Sequence, residues 1–350
     1  MAVLPHGYGN TPWFDQLTRA GLKRVSVGKV REGYTDDSDP DRSLFLASDR
    51  VSIFNFVLPA LVPRKGEVLT ALSHFVMTNV LADLASDMVF PERDSENDKI
   101  WHNWRRLHPE IPWERCTLVN KYDVQPFEAI FRRHPGGSIW GDYLKSGVIA
   151  GQKLPAGLVK WECLNKALFT PTEKSEEDEP LTIQQFLEVN SEYGQAVIDV
   201  LSSAYDRAYE FFQALGIRIL DTKFEYAIDE SGNVVLLDEK FTPDSSRFVE
   251  EANWLATLGS GSDPAFQDKE IVRSWGKAVG TPFYGVDGKQ IIGLHNLKGS
   301  NSEHIAFVHG LTVPGDLLEK TSQTYLSIFQ RVTSCDLDAY QRESMKCTAV

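Results

Sequence analysis

Two acidic residues, Glu225 and Asp238, lie in neighbouring segments that are rich in apolar and β-branched residues. Residues 230–233 between them (ESGN) have the composition of a turn, so the pattern predicts a β-hairpin. If Ser231 and Gly232 form a two-residue loop, Glu225 lies directly opposite Asp238, with about 5 Å between their Cβ atoms. Like charges in that arrangement need a cation, and Mg²⁺ is typically held by one or two carboxylates together with phosphate and water oxygens. The hairpin therefore predicts a magnesium site, and the alternative is an ordinary surface hairpin with outward acidic residues.

Residues on both sides of this hairpin are suited to binding anions. Lys223 lies two positions before Glu225 and so points to the same face of the strand, where it could meet a phosphate. The segment 242–247 (TPDSSR) follows the second strand and supplies hydroxyl groups, backbone donors and the Arg247 guanidinium. This mixture favours recognition of a carboxylate or a phosphate.

Two glycine-containing segments add candidate phosphate contacts. Gly28 interrupts an apolar alternation and precedes Lys29 and Arg31, so backbone N–H groups and cations could approach a phosphate there. This segment lacks the spacing of a P-loop, and a hairpin with solvated basic residues explains the same pattern. Residues 132–140 (RRHPGGSIW) place two arginines beside glycines and a serine, which suits an anion site, whereas a loop stiffened by Pro135 is the alternative.

The elements that must position these residues follow from hydrophobic periodicity, which predicts a mixed α/β protein. The predicted strands are near residues 43–48, 117–119 and 128–132, and the predicted helices cover residues 13–20, 67–85, 181–215 with a break near Gly194, and a last helix opening at 313–314. Residues 280–310 should contain a further hairpin. Residues 91–115, rich in charge and tryptophan, are interpreted as an irregular surface segment, and the tail beyond 334 as frayed.

Length and composition are those of a globular protein with room for two domains: 350 residues, 42% hydrophobic and 24% charged. No run approaches the roughly 20 apolar residues that span a bilayer, and the N-terminus lacks the pattern of a signal peptide. A net charge of −13 argues against a nucleic-acid-binding surface. The four cysteines show neither metal-site nor disulfide spacing, so we expect reduced thiols in a cytoplasmic protein.

Taken together, these segments resemble the SAICAR synthetase family, the phosphoribosylaminoimidazole-succinocarboxamide synthases of purine biosynthesis. The matching stretches are GKVRE (28–32), ASDRVSIFN (47–55), PRKGEVLT (63–70), PFEAIFR (126–132), GSIWGDY (137–143), KLPAGL (153–158), FTPTEKSE (169–176), DTKFEY (221–226), LLDEKFTPDSSRF (236–248) and VPGDLLEKT (313–321). They occur in the family's order and cover most of the chain outside about 91–115 and 276–310. DTKFE followed by TPDSSRF is the most diagnostic part.

The resemblance implies a two-lobed α/β (α+β) fold with an ATP-grasp-like nucleotide cleft between the lobes. We expect a β-rich lobe with the Gly-Lys loop at residues 1–122 and a larger lobe with the hairpin and C-terminal helices at 123–350. The implied activity is ATP-dependent ligation of L-aspartate to the carboxylate of carboxyaminoimidazole ribonucleotide through an acyl phosphate. ATP and Mg²⁺ are the expected cofactors and small-molecule substrates the expected partners, with neither nucleic acid nor membrane; monomer and homo-oligomer both stay open.

The resemblance also implies site residues. Lys29, Lys223 and Arg247 are expected to be catalytic, and Glu225 and Asp238 to hold the metal. Residues expected to contact ATP are Gly28, Lys29, Val30, Arg31, Lys121, Glu225 and Asp238. Residues expected to bind the acceptor substrate are Arg132, Ser138, Asp221, Ser245, Ser246 and Arg247.

Departures from the family pattern concentrate in the acceptor half. Arg133-His134 stand where the family usually has Gly-Tyr, so we expect Arg133 to lie close to the acceptor nucleotide. The family's His-Asp pair after the segment 170–176 (TPTEKSE) is not visible, and Asn55 replaces a commoner aspartate, although asparagine also occurs in the family. Two alternatives therefore remain: a paralogous ligase that uses another heteroaryl carboxylate, for example in nucleoside-antibiotic biosynthesis, and a non-catalytic nucleotide-binding protein.

Overall fold

The computed structural model describes residues 11–91, 94–174 and 179–347. The described residues fall into two compact units. The first comprises those of Met1–Ala71, Met88–Lys121 and Asp268–Val350, and the second those of Leu72–Asp87 and Tyr122–Gln267. This division differs from the expected boundary after residue 122, because the chain returns to the first unit after Gln267.

The strands are β1 (Lys23–Val27), β2 (Arg31–Asp36), β3 (Asp39–Ala47), β4 (Arg50–Ile53), β5 (Phe56–Leu61), β6 (Met88–Val89), β7 (Cys116–Asn120), β8 (Phe127–Arg132), β9 (Val148–Ile149), β10 (Gln152–Lys153), β11 (Leu168–Phe169), β12 (Thr172–Glu173), β13 (Ile217–Ile228), β14 (Val234–Leu237), β15 (Ser246–Glu250), β16 (Gly280–Tyr284) and β17 (Gln290–Ile292). The α-helices are α1 (Phe14–Arg19), α2 (Lys65–Phe75), α3 (Ser95–Leu107), α4 (Trp140–Ser146), α5 (Ile183–Val189), α6 (Gly194–Ala214), α7 (Glu251–Thr257), α8 (Glu270–Ala278), α9 (Ser302–His309), α10 (Gly315–Thr333) and α11 (Leu337–Glu343).

The first unit is built on an antiparallel sheet with the strand order β1-β2-β3-β7-β6. Apolar residues of this sheet, of α1 and of α3 form one buried cluster; its members include Leu17, Tyr34, Leu44, Leu46, Trp101, Trp104 and Leu118. A second cluster joins the β4–β5 hairpin to residues of the C-terminal segment; its members include Val51, Ile53, Phe56, Val272, Leu294 and Val308. Burial of such side chains is the main stabilising term, at about 1.5–3 kcal/mol each.

The tryptophan-rich segment is ordered, so its interpretation as an irregular surface segment is wrong. The Asp94 carboxylate accepts hydrogen bonds from two backbone N–H groups and begins α3. Trp101 and Trp104 lie three residues apart on one helix face, and both are buried. Trp101 packs edge-on against Trp113, with 4.7 Å between ring centroids. The charged residues of the segment lie on the other positions of an amphipathic helix.

Most other elements agree with their predictions. The long helical pattern is confirmed as α5 and α6, which are separated just before Gly194, and the hairpin within 280–310 is confirmed as β16 and β17. The prediction of a frayed tail beyond residue 334 is wrong, because helix α11 follows Ser334 and its Leu337 is buried. Residues 176–179 (EEDE) form an acidic run before the predicted helix at 181–215, and all but Glu179 lie outside the described residues. No helix in the described ranges has the length and apolar character to cross a membrane.

The second unit is built on an antiparallel sheet in which β13 is the central element. The strand order is β11-β8-β13-β14, β12 also pairs with β8, and β15 also pairs with β13. Helix α6 covers this sheet with an apolar face made of Val197, Leu201, Ala204, Tyr205, Ala208 and Phe212. Because β13 has β8, β14 and β15 as neighbours, side chains from four strands are held at fixed spacing along it.

Candidate active site

The turn that carries Lys29 joins β1 to β2 in the first unit. Gly28 N donates to the Arg31 carbonyl at 2.7 Å and closes the turn. The exposed Lys29 ammonium donates to Asn55 Oδ1 at 2.7 Å. The segment is therefore a hairpin, as one of the two interpretations predicted. Its turn holds the Lys29 ammonium beside the Asn55 side-chain amide.

The other residues predicted to contact ATP in the first unit lie on the same sheet. The Val30 carbonyl accepts hydrogen bonds from the backbone N–H and the hydroxyl of Ser48, at 2.9 and 2.6 Å. Arg31 begins β2 and is partly exposed. Lys121 follows β7, is exposed, and donates to the Pro40 carbonyl. Their contact with ATP stays a prediction.

The β13–β14 hairpin is confirmed, but its register differs from the prediction by one residue. Glu225 pairs with Leu237 and not with Asp238. The turn is longer than two residues: Asp229 N donates to the Asn233 carbonyl at 2.9 Å, and the Asp229 carboxylate caps two backbone N–H groups within the turn. The direct opposition of Glu225 and Asp238 is therefore wrong.

Asp238 nevertheless lies near Lys223. Asp238 follows β14 and has a φ of +60°, so the chain turns there through the left-handed region. The Lys223 ammonium lies 2.6 Å from Glu128 Oε1 and 3.7 Å from Glu225 Oε1. Burial by itself would lower the pKa of Lys223, but Glu128, Glu225 and Asp238 together raise it above its usual value. We call these three carboxylates the acidic cluster.

The donor set of the acidic cluster suits Mg²⁺. Mg²⁺ prefers carboxylate oxygens, takes one or two of them, and fills its remaining positions with phosphate oxygens and water. Within residues 11–91, 94–174 and 179–347, no group of three or more His, Cys, Asp or Glu side chains is arranged to hold a metal ion. Lys174 Nζ lies 2.7 Å from Glu225 Oε2, so a metal at Glu225 would compete with this lysine. The ligand chemistry is compatible with magnesium, and the metal site stays a prediction.

A row of charged residues crosses three neighbouring strands of the same sheet. Asp221 on β13 pairs with Arg132 on β8 and with Arg247 on β15. Asp221 Oδ2 lies 3.2 Å from Arg132 Nη1 and 3.1 Å from Arg247 Nη2. We call these three residues the arginine row. Two guanidinium groups share one carboxylate, so the row carries a surplus positive charge and suits a substrate anion.

The two arginines of the row differ in exposure. The Arg132 side chain is 6% exposed and its Nε donates to Thr170 Oγ1 at 3.0 Å, whereas the Arg247 side chain is 24% exposed. Burial lowers the pKa of Arg132 and Asp221 opposes this effect, so the guanidinium stays charged. Arg247 is therefore the accessible member of the row, and Arg132 anchors it.

The predicted serines lie beside Arg247 in a tight turn. Ser245 Oγ accepts from Thr242 N at 3.0 Å, and the Ser245 N–H donates to the Thr242 carbonyl. Ser246 Oγ lies 2.6 Å from the Thr222 hydroxyl. Both serines are largely buried, so these contacts fix the backbone that presents Arg247.

Ser138 is brought to the same place by the glycine before it. Gly137 has a φ of +60°, and a Cβ atom at that position would lie 2.7 Å from Arg247 Nη1. The left-handed backbone favours glycine here, and the missing side chain leaves room for the Arg247 guanidinium. The exposed Ser138 follows directly, so the structure brings the loop predicted to bind an anion against the arginine row.

Arg133 does not lie with these residues, and its predicted closeness to the acceptor nucleotide stays a prediction. Its Nη2 lies 2.8 Å from Asp206 Oδ1, and its guanidinium carbon lies 4.6 Å from the centre of the Tyr209 ring, both on helix α6. Arg132 instead contacts Asp221. Strand β8 ends at Arg132 and the chain bends at residues 133 and 134, which explains the separation. His134 is buried and hydrogen-bonds to Tyr209, so Arg133-His134 together pack against α6.

Comparison with known proteins identifies one family over most of the chain. A model of the SAICAR synthetase family matches residues 24–287, well over half of the chain. The chain belongs to the SAICAR synthetase family. The matched range contains the Lys29 turn, the acidic cluster and the arginine row.

Individual family members are similar over most of their length. A phosphoribosylaminoimidazole-succinocarboxamide synthase of Schizosaccharomyces pombe is 32% identical over 324 residues, covering 90% of this chain and 95% of the relative. One from Chromobacterium violaceum is 35% identical over 266 residues, covering 74% and 88%. The solved structure of a SAICAR synthase from Saccharomyces cerevisiae, complexed with SAICAR, superposes with a TM-score of 0.72 at 26% identity and covers 94% of this chain and 98% of that one.

Glu128 is not among the site residues predicted from the sequence, although the alternation of side chains along its strand indicates its position. In the family segment PFEAIFR, Glu128 lies four residues before Arg132 on the same strand, β8. Alternation places both side chains on one face, which is the face that meets Lys223 and Asp221 on β13. Lys174 was also missed, and its contact with Glu225 has no local sequence signal.

Proposed function

We propose that this chain is an ATP-dependent ligase that joins L-aspartate to carboxyaminoimidazole ribonucleotide in purine biosynthesis and forms SAICAR. Membership of the family over most of the chain supports this activity. The structural observation that carries the assignment of residues is the composition of one strand. Asp221, Lys223 and Glu225 occupy alternate positions of β13.

Alternate positions of a strand share a face and lie roughly 7 Å apart, so about 13 Å separates Asp221 from Glu225 along β13. The arginine row is centred on the first of these residues and the acidic cluster on the last. Lys223 lies between them, in ion-pair contact with the acidic cluster. One rigid element therefore places an anion-binding group and an acidic, metal-compatible group at the spacing that two neighbouring substrates require.

The reaction needs both groups. A carboxylate is a poor electrophile, so its oxygen first attacks the γ-phosphorus of ATP, which gives an acyl phosphate and ADP. The aspartate amine then attacks the acyl carbon, loses a proton, and inorganic phosphate leaves. Charge on the transferring phosphoryl group must be neutralised while the reactants are held in line.

The lysines supply fixed positive charge in this scheme. The neighbouring carboxylates raise the pKa of Lys223, so it is protonated at neutral pH and can hold a phosphate oxygen. We assign Lys29 to the ATP phosphates, with Gly28, Val30, Arg31 and Lys121 as further contacts. Glu225 and Asp238 would hold Mg²⁺, which neutralises phosphoryl charge when it is bound.

The arginine row supplies the acceptor site. We assign Arg247 to the phosphate or carboxylate of the ribonucleotide, because it is the exposed member and lies beside the loop that carries Ser138. Arg132 and Asp221 hold it in place, and Ser245 and Ser246 shape the turn from which it projects.

ADP release tests the proposal. The purified chain is assayed with ATP, Mg²⁺, aspartate and carboxyaminoimidazole ribonucleotide, and each of the last two is omitted in turn. Release that requires both, with SAICAR detected as product, is the expected result. Release only with a different heteroaryl carboxylate, or nucleotide binding without turnover, would replace the proposal with one of the two alternatives.

One departure that suggested a different acceptor, the replacement of Gly-Tyr by Arg133-His134, no longer favours it, because both side chains pack towards helix α6. We place the activity in the cytoplasm, in line with four cysteines that form no disulfide.

A further inference from the structure

Trp161 has an unusual backbone for a large side chain. It is 2% exposed and has a φ of +66°, in the left-handed region that bulky residues rarely adopt. Its N–H donates to the Pro135 carbonyl at 2.8 Å, and its carbonyl accepts from Trp254 Nε1 at 2.7 Å. Strained residues of this kind persist where the surrounding structure determines them strongly, and they are common at functional sites.

His134 adds a further constraint on Trp161. Its Nδ1 lies 3.0 Å from the Trp161 carbonyl, which can only accept, so Nδ1 carries the proton. Its Nε2 then accepts from the Tyr209 hydroxyl at 2.9 Å. The replacement that seemed to alter the acceptor site thus supports Trp161 instead.

The indole of Trp161 lies under the loop that faces the arginine row. A Cβ atom on Gly136 would lie 2.3 Å from the indole carbon Cε3, so only glycine permits this packing. The next residue, Gly137, leaves the space that Arg247 Nη1 occupies. The centre of the Trp161 ring lies 5.7 Å from the Arg247 guanidinium carbon, within the range of a cation–π contact.

The other edge of the indole is fixed as well. Nε1 of Trp161 donates to Asp263 Oδ1 at 2.9 Å, and Phe266 packs edge-on with ring centroids 5.7 Å apart. The ring is therefore held by its backbone, by its nitrogen and by a neighbouring aromatic. An indole whose only purpose was to fill the core would not need a strained backbone and two close glycines.

We propose that Trp161 is a positioning residue for Arg247: its indole supports the guanidinium through the Gly136-Gly137 segment and fixes it for the anionic group of the acceptor ribonucleotide. This inference rests on the proposed function, in which Arg247 binds that group. It assigns a role in acceptor binding to the segment around residue 161. Because the Arg247 side chain is only 24% exposed and its guanidinium is therefore largely shielded from water, we expect loss of the contact to weaken acceptor binding about tenfold.

Calorimetric binding tests the inference without turnover. The dissociation constants of carboxyaminoimidazole ribonucleotide and of ADP with Mg²⁺ are measured for the wild type, Trp161→Leu and Trp161→Phe. We expect Trp161→Leu to weaken ribonucleotide binding about tenfold while ADP binding changes less than twofold. Trp161→Phe keeps an aromatic face and loses the Nε1 donor, so it should recover most of the affinity.

Trp104→Leu is the matched control. It removes a fully buried indole, but Trp104 belongs to a different buried cluster, in the first unit. It should lower the melting temperature at least as much as Trp161→Leu and leave the ratio of the two dissociation constants near that of the wild type. If Trp161→Leu does not fold, Trp161→Met, which keeps more apolar volume without an aromatic ring, is compared with Trp161→Phe by the same ratio.

The inference is overturned if Trp161→Leu lowers the melting temperature but leaves the ratio unchanged, or if Phe and Leu at 161 weaken ribonucleotide binding equally. Failure of the proposed function has a different signature. In that case the wild type itself binds ADP but not the ribonucleotide, and inorganic phosphate replaces the ribonucleotide as the probe of the Arg247 site. Equal phosphate affinity in wild type and Trp161→Leu would then overturn the inference independently.

Discussion

The acidic cluster and the arginine row are both centred on strand β13, but they are held in different ways. The row is fixed by strand register, with Asp221 paired to a residue on each side and Arg132 buried. The acidic cluster lies towards the end of the hairpin, where Asp238 leaves the sheet and Lys174 and Lys223 neutralise Glu225. The row is therefore preorganised for an anion, whereas the cluster can exchange lysine contacts for a cation and phosphates.

The largest expected effect comes from breaking the acidic cluster. Asp238→Asn removes a negative charge that the metal needs, so turnover should fall at least a hundredfold while the fold stays intact. Steady-state ADP release over a range of Mg²⁺ concentrations measures this effect. Asp229→Asn, in the turn of the same hairpin, is the control and should keep near-wild-type turnover. Near-wild-type activity in Asp238→Asn would remove Asp238 from the mechanism.

Breaking the arginine row should act on binding instead. Arg247→Lys keeps the charge but loses the planar fork that can contact Asp221 and a substrate anion together. We expect the KM for the acceptor ribonucleotide to rise about tenfold to thirtyfold, with a smaller change in kcat and little change in the KM for ATP. Equal rises for both substrates would contradict the separation of the two groups along β13.

His134, which is buried and lies 3.0 Å from the Trp161 carbonyl, predicts that the free energy of unfolding depends on pH. Burial lowers the pKa of His134 to about 4, whereas it is near 6.5 in the unfolded chain. Between these two pKa values the unfolded state therefore binds more protons than the folded state. The contribution of neutral His134 to the free energy of unfolding is complete above pH 6.5 and is lost as the pH falls towards 4.

Thermal unfolding at pH 7 and pH 5 measures this contribution. The wild type should lose about 2 kcal/mol more than His134→Gln over that interval, which is a shift of a few degrees in Tm. His74 is also buried with a lowered pKa, but it is common to both proteins and cancels in the difference. Parallel losses in the two proteins would show that His134 is not held neutral.

The smallest effect is expected for Arg133. Its guanidinium pairs with Asp206 on α6, with the Asp206 side chain 37% exposed, so Arg133→Ala should change neither KM by more than about threefold. A large rise in the KM for the acceptor alone would return Arg133 to the acceptor site and restore the alternative of a different substrate. The measurement therefore tests whether acceptor binding depends on the arginine row alone or also on Arg133.

Local patterns in the sequence located the hairpin, the arginines and most helices, because these depend on periodicity and turn composition. The register of β13 and β14 could not be obtained that way, since the Asp229 carboxylate organises a longer turn and shifts the pairing by one residue. The position of Trp161 is set by contacts with residues far away in sequence, such as Asp263. Helix α3 was not predicted, because its many charged residues are typical of a surface segment. Its Trp101 and Trp104 are nevertheless buried in the core.

The central claim is that β13 aligns a metal–nucleotide site at Glu225 and Asp238 with an acceptor site at Arg247. A crystal structure with Mg²⁺, ADP and carboxyaminoimidazole ribonucleotide tests it most directly. The account predicts a metal about 2.0–2.1 Å from oxygens of Glu225 and Asp238, and an anionic group of the ribonucleotide in hydrogen-bond contact with Arg247. Nucleotide phosphates distant from both carboxylates, or a ribonucleotide that does not touch Arg247, would contradict it.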